Sequence, residues 1–457
     1  MSKSKLPVQL ITSNTLPENH IRLGDRLMKS LRIPPDQPII LAFGSFRQEI
    51  RAVPGKKLKA IRISPSLSKS AGLLPGSVVN AAYYVAERTL KVGPVIGVMI
   101  GRYDPQEPQK PFGSISSFCM EMIHASRKLG AFVYFFTPDM IGPTISSLEG
   151  VWYDSGWKKG SVPAPDVINN RLATRKLENS PRVQHFMKEV KSRYNTPVFN
   201  EKFLDKSDVF EALGTDERLG RYLPESYLLK NYPTLKKMCA SYPTVFLKPV
   251  RGSLGKGIIR ISRQTDGTYH TLTTSLEGTK RKPYATLQKL YNGLSAKLMK
   301  ERYQIQQGLN LIRNQKRNVD FRALVHKNQK GKWSVTSIVG RIAGGNHFVS
   351  NLARGGTLTT VKEALAGSSI PLNAKQQVPS RMEQAALEIA KGVESSIPFH
   401  FGELGIDLAV DTTGRIWLLE VNSKPSKSDN APLNSDYKIR PSAMRLVQYA
   451  QYLTGLQ

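Results

Sequence analysis

The sequence predicts an α/β fold, more loosely α+β, in which several sheets carry packed helices. A buried-strand pattern at residues 95–101 is followed by a helical stretch and then by a second apolar strand at 131–136. From about residue 175, longer strands alternate with amphipathic helices. Near the C-terminus, two apolar strands flank a turn sequence at 411–414. Strand–helix–strand order predicts a parallel unit, and the late turn predicts an antiparallel hairpin.

Composition sets the size and the charge of the protein. The chain has 457 residues, which suggests two to four domains, and 40% of them are hydrophobic. Lys and Arg number 66 against 35 Asp and Glu, giving a formal net charge of +31. This excess favours a polyanionic partner, but a solvated basic surface explains it equally well. Small basic clusters lie at residues 56–59, 280–282 and 313–317.

Two cysteines, Cys119 and Cys239, are too few for a disulfide framework or a Cys-rich zinc site. The first residues lack the apolar core of a signal peptide. The apolar stretch at residues 92–101 is too short to span a bilayer, so no membrane span is expected. We therefore expect a cytoplasmic protein.

Residues 1–90 are predicted to form a small β-rich domain. A weak repeat runs through it at an offset of 40, since Leu27 matches Leu67 and Pro35 matches Pro75. Each copy is typical of a short helix, a proline turn and a strand. Duplication would produce a pseudo-symmetric barrel, and chance similarity remains the alternative.

Residues 91–174 are predicted to form a separate α/β domain. The helix over 114–129 is expected to end at Gly130, because glycine adopts the left-handed conformation that closes helices. A stiff proline-rich connector at 162–166 then leads into the strand that begins at Val167.

Residues 175–457 are predicted to form the largest domain. Strands are expected over 243–250 and 333–342, helices over 284–300 and 443–456, and another helix around residues 382–393. Apolar and polar residues alternate over 319–326, which predicts a half-buried strand.

A candidate metal site lies in the late hairpin. Glu420 and Asn422 share one face of their strand because successive side chains alternate. The turn at 411–414 folds this strand against the one that carries Asp407. Two carboxylates and an amide on adjacent strands suit Mg²⁺ or Mn²⁺ shared with nucleotide phosphates. Each acidic residue taken alone is more typical of a sheet-edge charge or a salt bridge.

A glycine-rich hairpin supplies a candidate phosphate site. A strand delivers Lys248, a loop follows, and an apolar strand resumes. Glycines let backbone N–H groups approach phosphate oxygens closely. The segment is neither a Walker A loop nor a Rossmann fingerprint, because a strand rather than a helix follows it. The loop residues predicted to contact the nucleotide are Gly252, Ser253, Gly255 and Gly257.

These features together resemble the ATP-grasp superfamily over residues 175–457. The phrases at 93–97, 165–171, 319–322 and 417–425 are similar to the spore-coat-associated YheC/YheD family of ATP-grasp proteins. That match extends over nearly the whole chain. The resemblance implies an ATP-grasp fold at the C-terminus, preceded by a Rossmann-like pre-ATP-grasp domain. It also implies association with the spore or its coat.

The resemblance also implies roles for single residues. Lys248 and Lys206 would contact ATP phosphates, and Arg341 would face the transferred phosphoryl group, so that Lys248 and Arg341 are the catalytic candidates. The three metal candidates, Asp407, Glu420 and Asn422, would hold two Mg²⁺ ions.

The adenine would lie against residues 304–309, where backbone groups would read its edge and Gln306 and Gln307 would contact the nucleotide. Many ATP-grasp enzymes carry a glutamate at this point to hold the ribose. Here Gln306, Gln307 and Asn310 stand there, which leaves nucleotide preference open.

The predicted activity is that of an ATP- and Mg²⁺-dependent ligase. A carboxylate of unknown identity would be activated as an acyl phosphate, and an amine or thiol would then displace phosphate. One alternative is a structural protein that binds a nucleotide without turnover. Another is a protein whose main partner is RNA or a different polyanion.

Overall fold

The protein is described by a computed structural model over residues 4–10, 16–56, 58–251, 257–275, 278–344, 356–368, 370–427 and 439–456. Its strands form one closed barrel and three sheets. Within those ranges, no helix combines the length and the apolar character that a bilayer crossing requires.

The first seven strands close into a barrel in the order β1-β5-β2-β4-β3-β7-β6. Its elements are β1 (Ser4–Leu10), β2 (His20–Gly24), α1 (Asp25–Leu31), β3 (Pro38–Phe43), β4 (Phe46–Gly55), β5 (Ile61–Ile63), α2 (Pro65–Ala71), β6 (Val78–Tyr84) and β7 (Thr89–Gly93). The unit β2-α1-β3-β4 recurs as β5-α2-β6-β7. Helices α1 and α2 begin 40 residues apart, as do β3 and β6, which is the offset of the sequence repeat. The repeat in the structure and the repeat in the sequence thus share one offset, and duplication stays a prediction.

The second sheet has the order β11-β10-β9-β8-β12-β13. Its elements are β8 (Val95–Met99), α3 (Ser116–Leu129), β9 (Phe132–Phe136), β10 (Glu149–Tyr153), β11 (Trp157–Ser161), β12 (Val167–Asn170), α4 (Arg175–Glu178), α5 (Pro181–Tyr194) and β13 (Val198–Phe199). Strand β8 runs parallel to β9 and β12, so the predicted parallel unit is confirmed. Helix α3 ends at Gly130, which is left-handed with φ 73°.

The third sheet is antiparallel, with the order β14-β19-β15-β16-β17-β18. Its elements are α6 (Lys206–Gly214), α7 (Glu217–Gly220), β14 (Ser226–Leu228), α8 (Tyr232–Ser241), β15 (Thr244–Pro249), β16 (Ile259–Arg263), β17 (Tyr269–Ser275), β18 (Gly278–Tyr284), α9 (Leu287–Lys300) and β19 (Tyr303–Gln307). Leu247 and Ile261 on one face belong to a core that includes Leu235 of α8 and Leu290 of α9. The opposite face is therefore free to line a cleft. Helix α9 begins later than predicted, because Tyr284 ends β18 and Thr286 caps the helix.

The fourth sheet has the order β23-β22-β21-β24-β25, with β20 paired to β21. Its elements are β20 (Arg313–Asn314), β21 (Arg317–Lys327), β22 (Trp333–Ile342), β23 (Thr357–Thr359), α10 (Val361–Ala366), α11 (Leu372–Ser396), β24 (Glu403–Val410), β25 (Ile416–Asn422) and α12 (Pro441–Thr454). The prediction of a half-buried strand over 319–326 is wrong. Strand β21 is central, and residues 319–327 are buried on both faces, because α11 packs on one face and ion pairs fill the other.

The hydrophobic cores do not follow the predicted domain boundaries in full. One cluster joins the barrel, the second sheet and α12, as shown by Leu41, Phe135 and Tyr449. Helix α12 follows the fourth sheet in the chain but packs against α3, and the Gln451 side chain donates to the Leu129 carbonyl at 2.7 Å. The C-terminal helix therefore ties the fourth sheet to the front half of the molecule. The boundaries at residues 90 and 174 stay predictions.

Candidate functional site

Lys248 lies at the end of β15 on the face of the third sheet that is not covered by helices. Its ammonium donates to the Gln306 side-chain oxygen, and Gln306 in turn donates to the Ser226 hydroxyl at 3.1 Å. Burial lowers the pKa of Lys248 to about 8, although the nearby charge of Glu420 favours the protonated amine. A buried lysine of this kind is a preformed positive charge for an anionic ligand.

The glycine-rich loop is described only at its ends. The calls on Gly252, Ser253 and Gly255 lie outside the described residues. Gly257 has φ +77°, a left-handed conformation that favours glycine, and a Cβ there would lie 3.0 Å from Cγ of Pro249. The predicted antiparallel pairing of the two flanking strands is confirmed, since Leu247 is opposite Ile259.

The two glutamines predicted beside adenine have different environments. Gln306 points into the cleft with Lys248. The Gln307 side-chain oxygen instead accepts from the Glu225 backbone N–H at 2.7 Å. Because the Gln307 side chain is already hydrogen-bonded to the Glu225 backbone, Gln307 would contact a nucleotide mainly through its own backbone groups.

The predicted hairpin of β24 and β25 is confirmed, and it brings the metal candidates to one face. Asp407 is directly opposite Glu420, and Gly405 is directly opposite Asn422. Directly opposed residues of an antiparallel pair share a face. The turn is held by the Asp411 carboxylate, which accepts from the backbone N–H groups of Thr413 and Arg415 at 2.9 and 3.0 Å.

Asp407 is ion-paired to two arginines of its own sheet. Arg322 contacts it through two nitrogens, one at 3.1 Å, and Arg341 Nη2 lies 3.1 Å from its Oδ1. Burial opposes ionisation, but the charges of Arg322 and Arg341 outweigh it and lower the pKa of Asp407. Asp407 is therefore a fixed carboxylate at neutral pH.

Arg341 also donates to Asp320 at 2.5 Å across the β21–β22 pair. Burial disfavours its charged form, but Asp320 and Asp407 raise the pKa of Arg341 above its ordinary value. Asp320 is thus paired with Arg341 of β22, and Arg322 is paired with Asp407 of β24. The Arg341 salt bridge to Asp320 is one that a purely structural arginine would also make. Arg341 nevertheless faces the cleft.

Glu420 has a different partner. Its Oε1 lies 3.1 Å from Nζ of Lys206, the first residue of α6. The Glu420 side chain is 28% exposed against 11% for Asp407, so solvent reaches the outer carboxylate more easily. The charges of Glu420, Lys206 and Asp407 all act on the Lys248 ammonium, which places the third sheet beside the fourth across one cleft.

The donor set fits a divalent cation of the magnesium type. Two carboxylates and one amide on a shared face supply the oxygen ligands that Mg²⁺ prefers, and phosphate oxygens commonly complete its shell. Both carboxylates are ion-paired with protein cations. Throughout the ranges given above, no three His, Cys, Asp or Glu side chains form a ligand cluster.

Sequence reasoning missed Arg322 as a site residue, although strand alternation places it two residues from Asp320. It also missed a second charge cluster farther along the same face of β24. There, the fully buried Glu403 contacts Arg171 at 3.0 Å, His326 at 2.9 Å and the Lys427 ammonium. Its members come from distant parts of the chain, and no local pattern links them.

The chain is similar in sequence to a described protein family and to two curated proteins. A family model described as YheC/D like ATP-grasp matches residues 195–453. The endospore coat-associated protein YheD of Bacillus subtilis (strain 168) is 31% identical over 384 residues, covering 82% of each chain. The endospore coat-associated protein YheC of the same organism is 21% identical over 336 residues, covering 71% of this chain and 88% of its own.

Among solved structures, D-alanyl-alanine synthetase A from Vibrio cholerae is similar at 12% identity and a TM-score of 0.45, covering 80% of this chain and 98% of its own. The ATP-grasp ligase PsnB, solved with a minimal precursor, is similar at 13% identity and a TM-score of 0.43, covering 80% and 99%.

Proposed function

We propose that this chain, which belongs to the YheC/D-like ATP-grasp family, is an ATP-dependent ligase that joins a carboxylate to an amine or thiol. The carboxylate attacks the γ-phosphate of ATP to give an acyl phosphate and ADP. The nucleophile then attacks the acyl carbon, and inorganic phosphate leaves with the electrons of the broken C–O bond.

One observation carries the proposal. Cations and carboxylates from two sheets and one helix meet in a single cleft, as shown by the contacts of Lys206, Arg341, Asp407 and Glu420. Phosphoryl transfer depends mainly on positioning and on stabilising negative charge, and this group supplies both without a Ser–His or Cys–His pair.

The cationic side chains of the cleft have separate roles. Lys248 and Lys206 hold the phosphates of the nucleotide, and Gln306 keeps the Lys248 ammonium aimed into the cleft. Arg341 is hydrogen-bonded to Asp320 on one side, and on the other it faces the transferred phosphoryl group and stabilises its negative charge. The backbone of β19 lines the adenine, and Arg322 fixes the orientation of Asp407.

Magnesium, held by Asp407, Glu420 and Asn422 together with phosphate oxygens, would neutralise charge on the triphosphate and polarise the transferred group. Lys206 and Arg341 would then be free to turn from the carboxylates toward the phosphates.

A second candidate function is nucleotide binding without ligation. The printed names of both relatives describe association with the endospore coat rather than a reaction. The same names support a location at the spore coat for this chain. A structural protein with a retained nucleotide pocket would bind Mg²⁺-ATP but release no ADP in response to an acceptor.

The test is ADP release by the full chain with Mg²⁺-ATP and a panel of carboxylic acids. Hydroxylamine serves as a general nucleophile, because it converts any acyl phosphate into a hydroxamate that mass spectrometry detects. We expect ADP and hydroxamate in equal amounts for at least one acid, and neither in the Glu420→Gln variant. Tight nucleotide binding with no acid-dependent ADP release would favour the second candidate.

A further inference from the structure

Arg260 lies on the cleft face of the third sheet, outside the site described above. It is directly opposite Phe246 on β15, and Phe246 is directly opposite Gln306 on β19. Opposed residues share a face, and Phe246 and Lys248 lie two residues apart on one strand. The Arg260 guanidinium therefore lies on the same side of the sheet as the Lys248 ammonium.

Among the described residues, no carboxylate forms an ion pair with the Arg260 guanidinium. Its Nε atom is buried and makes no hydrogen bond there. Burial, followed by the positive charge of Arg313, lowers the pKa of Arg260. A half-buried cation beside a second cation costs free energy unless an anion joins them.

Arg313 belongs to the other side of the cleft, and its charge reaches Arg260. It lies on β20, which pairs with β21 of the fourth sheet. The chain reaches it directly from β19, and the Gly308 N–H donates to the Thr244 carbonyl at 2.8 Å where the segment begins. Arg313 is exposed and forms no ion pair within the described ranges.

The strands beside Arg260 carry basic side chains. Strands β16, β17 and β18 contain no acidic residue within their bounds. By contrast, Arg322 and Arg341 of the fourth sheet each contact a carboxylate. Within the described residues, Arg260 and Arg313 differ from these two arginines because neither has a carboxylate partner.

We propose that Arg260 and Arg313 form a second anion subsite, which binds a carboxylate or phosphate group of the molecule being ligated. One guanidinium comes from each sheet, so an oxyanion between them would hold the two sides of the cleft together. Planar guanidinium groups bind such oxyanions through paired N–H donors. The identification of this molecule as substrate rests on the proposed function; the binding of an oxyanion does not.

The test uses the full chain saturated with Mg²⁺ and a non-hydrolysable ATP analogue, so that the triphosphate site is occupied. Inorganic phosphate and glutarate are titrated separately by calorimetry. We expect Arg260→Gln and Arg313→Gln each to weaken binding about tenfold or more, since one charged hydrogen bond contributes roughly 1.5–3 kcal/mol. The matched control is Arg263→Gln, which removes the same charge from the opposite face of β16.

The outcomes separate cleanly. If the wild type binds phosphate alone or glutarate alone, and Arg260→Gln and Arg313→Gln both lose that binding, the subsite is supported and its anionic group is identified. No binding of either probe to the wild type, or equal losses in Arg263→Gln, overturns it. A parallel loss of affinity for the ATP analogue in Arg260→Gln assigns the arginine to the nucleotide and also overturns it.

Failure of the analogue to bind the wild type would count against the proposed function alone. In that case phosphate and glutarate are titrated without nucleotide into the Lys248→Ala variant and into the Lys248→Ala/Arg260→Gln double variant. Loss of binding only in the double variant supports the subsite, and equal binding overturns it.

Discussion

Asp407 and Glu420 lie directly opposite one another on β24 and β25, yet their charges are balanced by cations from different elements. Asp407 is paired with Arg322 and Arg341 of its own sheet, whereas Glu420 is paired with Lys206 of α6. The inner carboxylate is part of the sheet's packing, and the outer one is closer to solvent. Their removal should therefore have the same effect on catalysis and different effects on stability.

Glu420→Gln should abolish ADP release and leave the fold intact. The pair with Lys206 is partly exposed, so its loss costs no more than about 1 kcal/mol of unfolding free energy. Acceptor-dependent ADP release and denaturant unfolding measure the two effects. Glu211→Gln on the exposed face of α6 is the control, and wild-type turnover in Glu420→Gln would contradict the metal assignment.

Asp407→Asn should abolish the same activity and also destabilise the protein. The change leaves the buried Arg322 guanidinium without a carboxylate, and breaking a buried pair costs about 3–5 kcal/mol. Denaturant unfolding of this variant beside Glu420→Gln gives the comparison. Equal stability of the two variants would show that the inner ion pairs contribute nothing to the fold.

Nucleotide affinity should fall as pH rises through about 8, the pKa to which burial lowers Lys248. Below this value the amine is already protonated in the free protein. Above it, binding a triphosphate requires proton uptake, so affinity decreases by up to tenfold per pH unit. Calorimetry in buffers with different ionisation heats measures the uptake.

The control for this pH effect is Lys248→Arg, whose guanidinium stays charged over the same range. Its affinity should not show the decline near pH 8. An identical decline in both proteins would assign the titration to a different group.

Glu403→Gln should destabilise the protein by about 3–5 kcal/mol, because it leaves Lys427 and Arg171 buried without their shared counter-charge. Burial would raise the pKa of Glu403, but Lys427 and Arg171 outweigh it and hold the pKa well below the ordinary value. Thermal unfolding checks the prediction against Glu211→Gln. A change of less than about 1 kcal/mol would mean that the cluster is structurally neutral.

Replacing Lys280 and Lys282 together by glutamine should leave ligation of a small acceptor unchanged. Their positions alternate with Arg281 on β18, so both lie on the face away from Lys248. Steady-state turnover and the salt dependence of any polyanion binding are the measurements. A loss of turnover without a loss of stability would show that the two lysines act in the cleft.

Local patterns predicted much of the fold. The strand at Trp333–Ile342 has its predicted ends, and the α3 helix ends at the predicted glycine. The burial of β21 was not predictable from its alternating residues, because Arg322 and His326 are polar by type and buried only through partners on β24. The alternation of apolar and polar residues shows only the type of each residue, whereas the burial of a residue depends on the partners that a neighbouring strand provides.

The sequence by itself determined the strands, the turn at 411–414 and the shared face of Glu420 and Asn422, because these follow from the two-residue period of a strand and from turn chemistry. Only the tertiary structure decided which charges meet: Lys206 with Glu420, Arg341 with Asp320 and Asp407, and Arg260 with no carboxylate among the described residues. Ion pairing depends on distances of a few ångströms between residues far apart in the chain, and those distances arise only when the sheets pack across the cleft.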